Sequence, residues 1–283
     1  MRQALTPILP ALLVLGALVP IACQLPETNL RQNGWSAART IENDSLVIRL
    51  RNPIRSATRF HVRSERADIS EILAGNAFHV LGPMEERSVA YPLAGLDTLG
   101  ILDAVRTTIS HGSLRTPIRP DTLSLPFPEG RWYRVIQGYG GGYSHNTPFS
   151  RYTLDFALAV GDTVTAAQDG VVVGVVEGYE VGGGKSKYRP YANYITVFHP
   201  GSGLFTQYVH LAPDGSLVAV GDSVSMHQSI GLSGLTGFTD RAHLHFNVLV
   251  PDSTEGMVST PAVFEGGIEG AVWQRGSRAE HVH

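Results

Sequence analysis

The chain has 283 residues, 43% of them hydrophobic and 17% charged, with a formal net charge of −3. That length and apolar content suit one large or two ordinary domains with real cores. The slightly acidic balance argues against a general nucleic-acid binder, which would present a basic surface. A lone cysteine excludes an internal disulfide and leaves no set of thiolates for a metal. With 31 Gly, 17 Pro and no long helical periodicity, the chain reads as all-β with many turns.

The N-terminal stretch MRQALTPILPALLVLGALVPIACQ carries one early cation, Arg2, and then an apolar run from Leu12 to Ala22. This predicts a signal peptide over residues 1–22 and an exported chain. Pro7, Pro10 and Pro20 and the short apolar core argue against a retained membrane span. Cys23 follows at once, and Pro20-Ile21-Ala22-Cys23 resembles the lipid-attachment site of bacterial lipoproteins, with Pro20 where a leucine is usual. The expectation is a cell-envelope or periplasmic location, either anchored by lipid at Cys23 or soluble.

Residues 23–43 are polar and read as a tether. Alternating strands begin at Ser45 (SLVIRLRNP, TRFHVRSE, SVAYPL, AVRTTISHG) and predict a small β-sandwich-like domain over 44–113. The proline-rich 114–130 reads as a linker. A second domain is predicted over 131–264 from strands such as DGVVVGVV, NYITVFH and HLHFNVLV. Within it VGDTV (160–164) recurs as VGDSV (220–224), a turn entering a strand each time, which suggests two similar β-elements in one barrel-like unit. Residues 265–283 read as a loose tail. GGGKS (182–186) is not a phosphate-binding loop, because Tyr179 stands where that motif needs glycine, and it reads as a flexible basic surface loop. His281 and His283 form a His-x-His at a terminus expected to fray, with no partner ligands in view.

Of the 11 histidines, His61, His79, His111, His199 and His227 sit singly in strands or turns and read as structural. His145, His210, His243 and His245 lie among apolar, aromatic and glycine residues of the second domain, and Asp155 interrupts the apolar strand RYTLDFALAV. A buried carboxylate is costly unless it is paired or binds a metal. Two imidazoles and a carboxylate suit a catalytic zinc with one open position, with ligand bonds of roughly 2.0–2.2 Å. A closed structural zinc, or no metal, stays open on spacing alone. His243 and His245, two apart on a strand, share a face, so both could bind one metal or one could bind while its neighbour handles a proton. The helix-borne HExxH motif is absent.

HNTPFSRYTLDFALAVGDTVTAAQDGVVV, NYITVFHPGSGLFTQYVHL and GLSGLTGFTDRAHLHF together resemble the lysostaphin/LytM-type zinc metallopeptidases, over roughly 131–250. The resemblance implies an antiparallel β-sheet, barrel-sandwich-like fold (a duplicated hybrid motif) with one Zn²⁺ per chain. It implies His145, Asp155 and His245 as metal ligands and His243 and His210 as catalytic residues, without saying which of the two is the general base. It further implies hydrolysis of peptide bonds in peptidoglycan stem peptides or cross-bridges. Three departures stand out. Ten positions separate His145 from Asp155, so a loop must reunite them; Ala242 replaces a usual proline; and His227 replaces a usual glycine. The competing expectation is a catalytically inactive envelope protein of the same fold that binds or activates a cell-wall hydrolase. Oligomeric state is open.

Overall fold

The computed structural model describes residues 34–254 and 256–282. The stretch read as an export signal, with Cys23, lies outside the described residues. In chain order the first unit contains β1 (Ser36–Glu42), β2 (Ser45–Arg51), β3 (Thr58–Ser64), α1 (Ala67–Ala74), β4 (Phe78–Leu81), β5 (Glu86–Pro92) and β6 (Val105–His111). Two three-stranded sheets, β1-β2-β5 and β4-β3-β6, face each other. Alternate residues of β2 (Leu46, Ile48, Leu50) and β3 (Phe60, Val62) turn inward, and α1 closes the core with Ile69 and Leu73, four residues apart on one helix face. β1 corrects the expected tether: residues 36–42 are a paired strand, in register with β2 from Ser36↔Arg51 to Glu42↔Ser45.

The second unit contains β7 (Thr122–Leu123), β8 (Trp132–Gln137), β9 (Leu154–Phe156), β10 (Thr163–Thr165), β11 (Gly170–Val176), β12 (Gly182–Gly183), β13 (Tyr194–Phe198), β14 (Phe205–Val209), β15 (Leu211–Ser216) and β16 (Ser223–Val224). It continues with β17 (Ser229–Ser233), β18 (Gly237–Phe238), β19 (Leu244–Asp252), β20 (Gly256–Ser259), β21 (Val263–Phe264), β22 (Ile268–Glu269) and β23 (Arg278–Glu280). A nine-stranded sheet runs β16-β11-β13-β14-β19-β9-β8-β23, with β20 added to β19. A smaller sheet, β10-β17-β15, stands apart from it. The main core gathers Val135, Phe156, Val164, Val172, Tyr208, Ile230, Leu244 and Phe246 from both. Each such side chain contributes roughly 1.5–3 kcal/mol by leaving water.

The two VGD turns are physically the same. Asp162 and Asp222 each accept a backbone N–H, from Ala159 and Ala219, at 2.8 Å, and Gly161 and Gly221 take φ of 88° and 99°.

Two boundaries differ from expectation. The proline-rich 114–130 is not only a linker: β7 pairs with β21, and Leu123, Leu125 and Phe127 are fully or almost fully buried in the main core. Nor is 265–283 loose. β22 pairs with β21, β23 pairs with β8, and Ala279 and His281 are buried. The segment 182–191 is likewise tied down, by a parallel β12–β18 pair followed by a 3₁₀ turn, Ser186–Tyr191.

The first unit packs on the outer face of the large sheet. Ile54 joins Val173, Phe205, Leu249 and Met257. Arg59 donates to Asp252 O at 2.6 Å and also to Gly256 O. Gly112 permits the close approach: at φ +77° an added Cβ would lie 2.4 Å from the Pro251 ring. No helix among the described residues is long and apolar enough to cross a membrane.

Candidate metal centre and cleft

Strand alternation sets the site. Leu154 and Phe156 on β9 enter the core, so Asp155 between them faces the opposite side. On β19, Leu244 and Phe246 enter the same core, so His245 faces outward with Asp155. The register places His245 directly opposite Asp155 on one side and Val209 of β14 on the other, with Gln137 of β8 opposite Asp155 beyond. A one-residue slip would bury these ligands and expose the leucine and phenylalanines.

His145 arrives from the long connection between β8 and β9. Turn bonds fold that loop back, including His145 N–H to Gly141 O at 2.9 Å and the Ser150 hydroxyl to Ser144 O at 2.7 Å. Ser259 of β20 donates to Pro148 O, and the Asn247 amide donates to Phe149 O at 2.7 Å. The ten-position gap is thereby closed. His145 Nε2 lies 3.2 Å from Asp155 Oδ2, and His245 Nδ1 lies 2.9 Å from Asp155 Oδ1.

The tautomers follow from the partners. His145 Nδ1 donates to Gly138 O at 2.9 Å, so Nε2 carries a lone pair aimed at a carboxylate oxygen. His145 Nε2 and Asp155 Oδ1 are shielded from solvent and complete no aligned hydrogen bond. Lone pairs facing one another in a buried pocket repel unless a proton or a metal cation sits among them. Ligands at roughly 2.0–2.1 Å around a tetrahedral ion would be about 3.3 Å apart, close to the 3.2 Å and 2.9 Å observed. The residues therefore fit zinc, and the backbone carbonyl of Gly138 orients His145 as an outer partner of a metal ligand does.

Two further imidazoles border this set. His210 follows β14 in a left-handed conformation, φ 67°, and its Nδ1 donates to Thr236 O at 2.6 Å. His243 precedes β19, and its Nδ1 donates to Arg241 O at 3.0 Å, with the Thr239 hydroxyl at 3.1 Å. Both thus keep Nε2 open, and His243 Nε2 lies 3.7 Å from Asp155 Oδ1. Ligand atoms of His210, His243 and His245 lie within 4.8 Å of one another, as do those of His145, Asp155 and His245. Only the second set contains an anion to balance a divalent cation.

Burial holds His210 well below the usual imidazole range, helped by His243 and His245, so it is neutral at working pH. His245 is also lowered by burial, against the pull of Asp155. Burial by itself would raise Asp155, but the facing His245 and His145 outweigh it and hold the carboxyl well below its ordinary value. A neutral imidazole and an ionised carboxylate are the ligand forms a metal needs.

Residues 150–256 match the profile of Peptidase family M23. That stretch, under half of the chain, is similar to that family. Asp155, His210, His243 and His245 fall inside the matched M23 segment, and His145 just before it. An uncharacterized metalloprotease of Buchnera aphidicola is 32% identical over 143 residues, covering 49% of this chain and 33% of its own. The peptidoglycan DD-endopeptidase ShyA of Vibrio cholerae is 39% identical over 97 residues, covering 34% of this chain and 19% of its own. The chain thus spans a third or less of these relatives' length. Among solved structures, the catalytic domain of lysostaphin from Staphylococcus simulans is 26% identical with a TM-score of 0.32, covering 46% of this chain and 87% of that one.

The site lies in a cleft of about 850 Å³. Its walls draw on both units. Tyr143 stacks on Phe238 at 5.2 Å, and Arg189 lies over the same ring at 5.5 Å. Gln137 donates to Asp155 Oδ2 at 3.4 Å and to the Ser144 hydroxyl at 2.8 Å. Trp35, Ser110 and His111 of the first unit line the same cleft, where His111 packs edge-on against Trp35 at 4.5 Å. No single-sequence signal marks Trp35, Ser110 and His111, because the packing of the first unit brings them there. His199 is structural as expected: its Nδ1 donates to Asp169 O at 2.9 Å and its Nε2 meets the Thr206 hydroxyl at 2.8 Å. His281 departs from expectation, being buried with Ser124, Phe127 O and Glu265 around it.

Proposed function

We propose that the chain is an exported zinc endopeptidase that hydrolyses peptide bonds of peptidoglycan stem peptides or cross-bridges. The observation that carries this reading is the convergence of His145 Nε2, Asp155 and His245 Nδ1 on the cleft floor, with two buried atoms left without an aligned hydrogen bond. His145, Asp155 and His245 would hold Zn²⁺, which when bound acidifies water and polarises a carbonyl. Around that ion the chain's own groups have separable tasks. His210, kept neutral by burial and fixed by Thr236 O, presents Nε2 as a proton acceptor. His243 presents Nε2 beside Asp155, placed to receive a proton and return it to the leaving amine. The aromatic and basic rim of Tyr143, Phe238 and Arg189 suits a thin peptide carrying a carboxylate. The Vibrio cholerae relative's name, peptidoglycan DD-endopeptidase, supports this substrate class. The apolar run before Cys23 supports export, with lipid attachment at Cys23 as the anchored form.

The test is release of soluble peptides from purified peptidoglycan by the protein. Hydrolysis that a chelator abolishes and zinc restores is the expected outcome. A zinc-loaded protein inert on both direct cross-links and bridge peptides would instead support a non-catalytic envelope role.

A further inference from the structure

The outer face of the large sheet carries three rows of side chains across its strands. The first row joins Tyr194, Val209, His245 and Asp155. The second, two residues further along, joins Thr196, Gln207 and Asn247, and the third joins Phe198, Phe205 and Leu249. Tyr194, Val209 and Gln207 line the cleft. Phe205 and Leu249 do not: they are fully or almost fully buried in the contact with Ile54 and Trp35 of the first unit. Open floor therefore runs from the row of His245 down β14 to Gln207 and ends where the first unit is seated. Trp35, Ser110 and His111 stand at that end, with the His111 ring 4.5 Å from Trp35 and 5.6 Å from Phe205.

One side chain holds this end in place. The Arg59 guanidinium donates to His111 O at 3.3 Å on its own unit, and to Asp252 O at 2.6 Å and Gly256 O on the other. Those two carbonyls face each other across the β19–β20 pair. Arg59 thus ties the end of β6, next to Ser110, to the hairpin that begins at His245. Arg59 does not itself line the cleft.

We propose that the first unit is the end stop of the substrate cleft, locked by Arg59, and that it limits how far a bound peptide extends from the cut bond on that side. The distance sets the limit. Four residues of β14 separate Val209 from Phe205, roughly 13 Å at the rise of a strand. Extended peptide takes about 3.3–3.6 Å per residue, so about three or four residues fit before the wall. Trp35 and His111 at the stop, with the Ser110 hydroxyl and the Gln207 amide before it, form an end that suits an uncharged terminal group. Arg59 is a positioning residue, acting on substrate length through the wall and not on the chemistry. The inference rests on the peptidase reading for its substrate.

The test uses the zinc-loaded full chain and synthetic cross-linked stem-peptide dimers with zero, two or four glycines added to one arm or to the other. Binding and cleavage are measured for each. Lengthening one arm past about four residues from the cut bond should weaken binding and slow cleavage roughly tenfold or more, while lengthening the other arm should be tolerated. Arg59→Met and Trp35→Ala should each shrink that penalty, and Arg59→Lys, which keeps a cation for the same carbonyls, should fall between Arg59→Met and the wild type. A wild-type chain indifferent to the length of both arms would overturn the proposal, as would a penalty unchanged in both Arg59→Met and Trp35→Ala. Binding that shows the length limit without any cleavage would support the end stop and count against the peptidase reading instead.

Discussion

Among the histidines, surroundings separate roles that the letter code does not. His199 and His210 are both buried and neutral, yet one is closed on both nitrogens and the other keeps Nε2 open to the cleft. His199 is lowered by burial to about 4 from an ordinary value near 6.5. Its folded value lies below its unfolded one, so the neutral form favours folding above about pH 6.5, and that contribution is lost as pH falls toward 4. The full difference is worth about 3 kcal/mol. Urea unfolding across this window should show stability falling with pH, and His199→Gln should be less stable at pH 7 but flatter between pH 6.5 and 4. An unchanged slope in the variant would contradict this account. The five cleft residues were legible in the sequence because motif and resemblance coincide there. The burial of His281 was not, because Ser124, Phe127 and Glu265 come from separate segments and only packing brings them around it.

The structural elements follow from local rules that the sequence carries openly. Period-two alternation predicts which side of β9 and β19 bears the ligands, and the VGD echo marks two turns with the same aspartate bond. Gly221 has open space around an added Cβ, yet its φ of +99° is one that an L-residue rarely adopts. Gly221→Ala should therefore cost roughly 1–2 kcal/mol in chemical denaturation, from backbone strain alone. Gly237→Ala should cost more, since its Cβ would also lie 2.5 Å from the Ala192 side chain. Equal costs would show that the backbone conformation outweighs the clash. Proline density misled the reading of 114–130. Leu123, Leu125 and Phe127 alternate as a buried strand does, but the prolines between and beyond them gave the stretch a linker's composition.

For the molecule as a whole, the large sheet has one face in the main core and divides the other between two tasks. One part of that outer face is covered by the first unit through Ile54, Phe205 and Leu249, and another part carries Asp155 and His245. The role of the first unit was illegible from its sequence because a groove wall exists only once the units are packed. Trp35, Ser110 and His111 then become part of the cleft. The central claim is that the cleft residues divide into three that hold the metal and two that handle protons. It is tested most directly by measuring zinc content and peptidoglycan hydrolysis together in His243→Ala and His245→Ala. His243→Ala should keep the wild-type zinc content while losing roughly 10²–10⁴-fold in turnover, whereas His245→Ala should hold one zinc fewer per chain and be inactive. Zinc lost in the first and kept in the second would contradict the assignment.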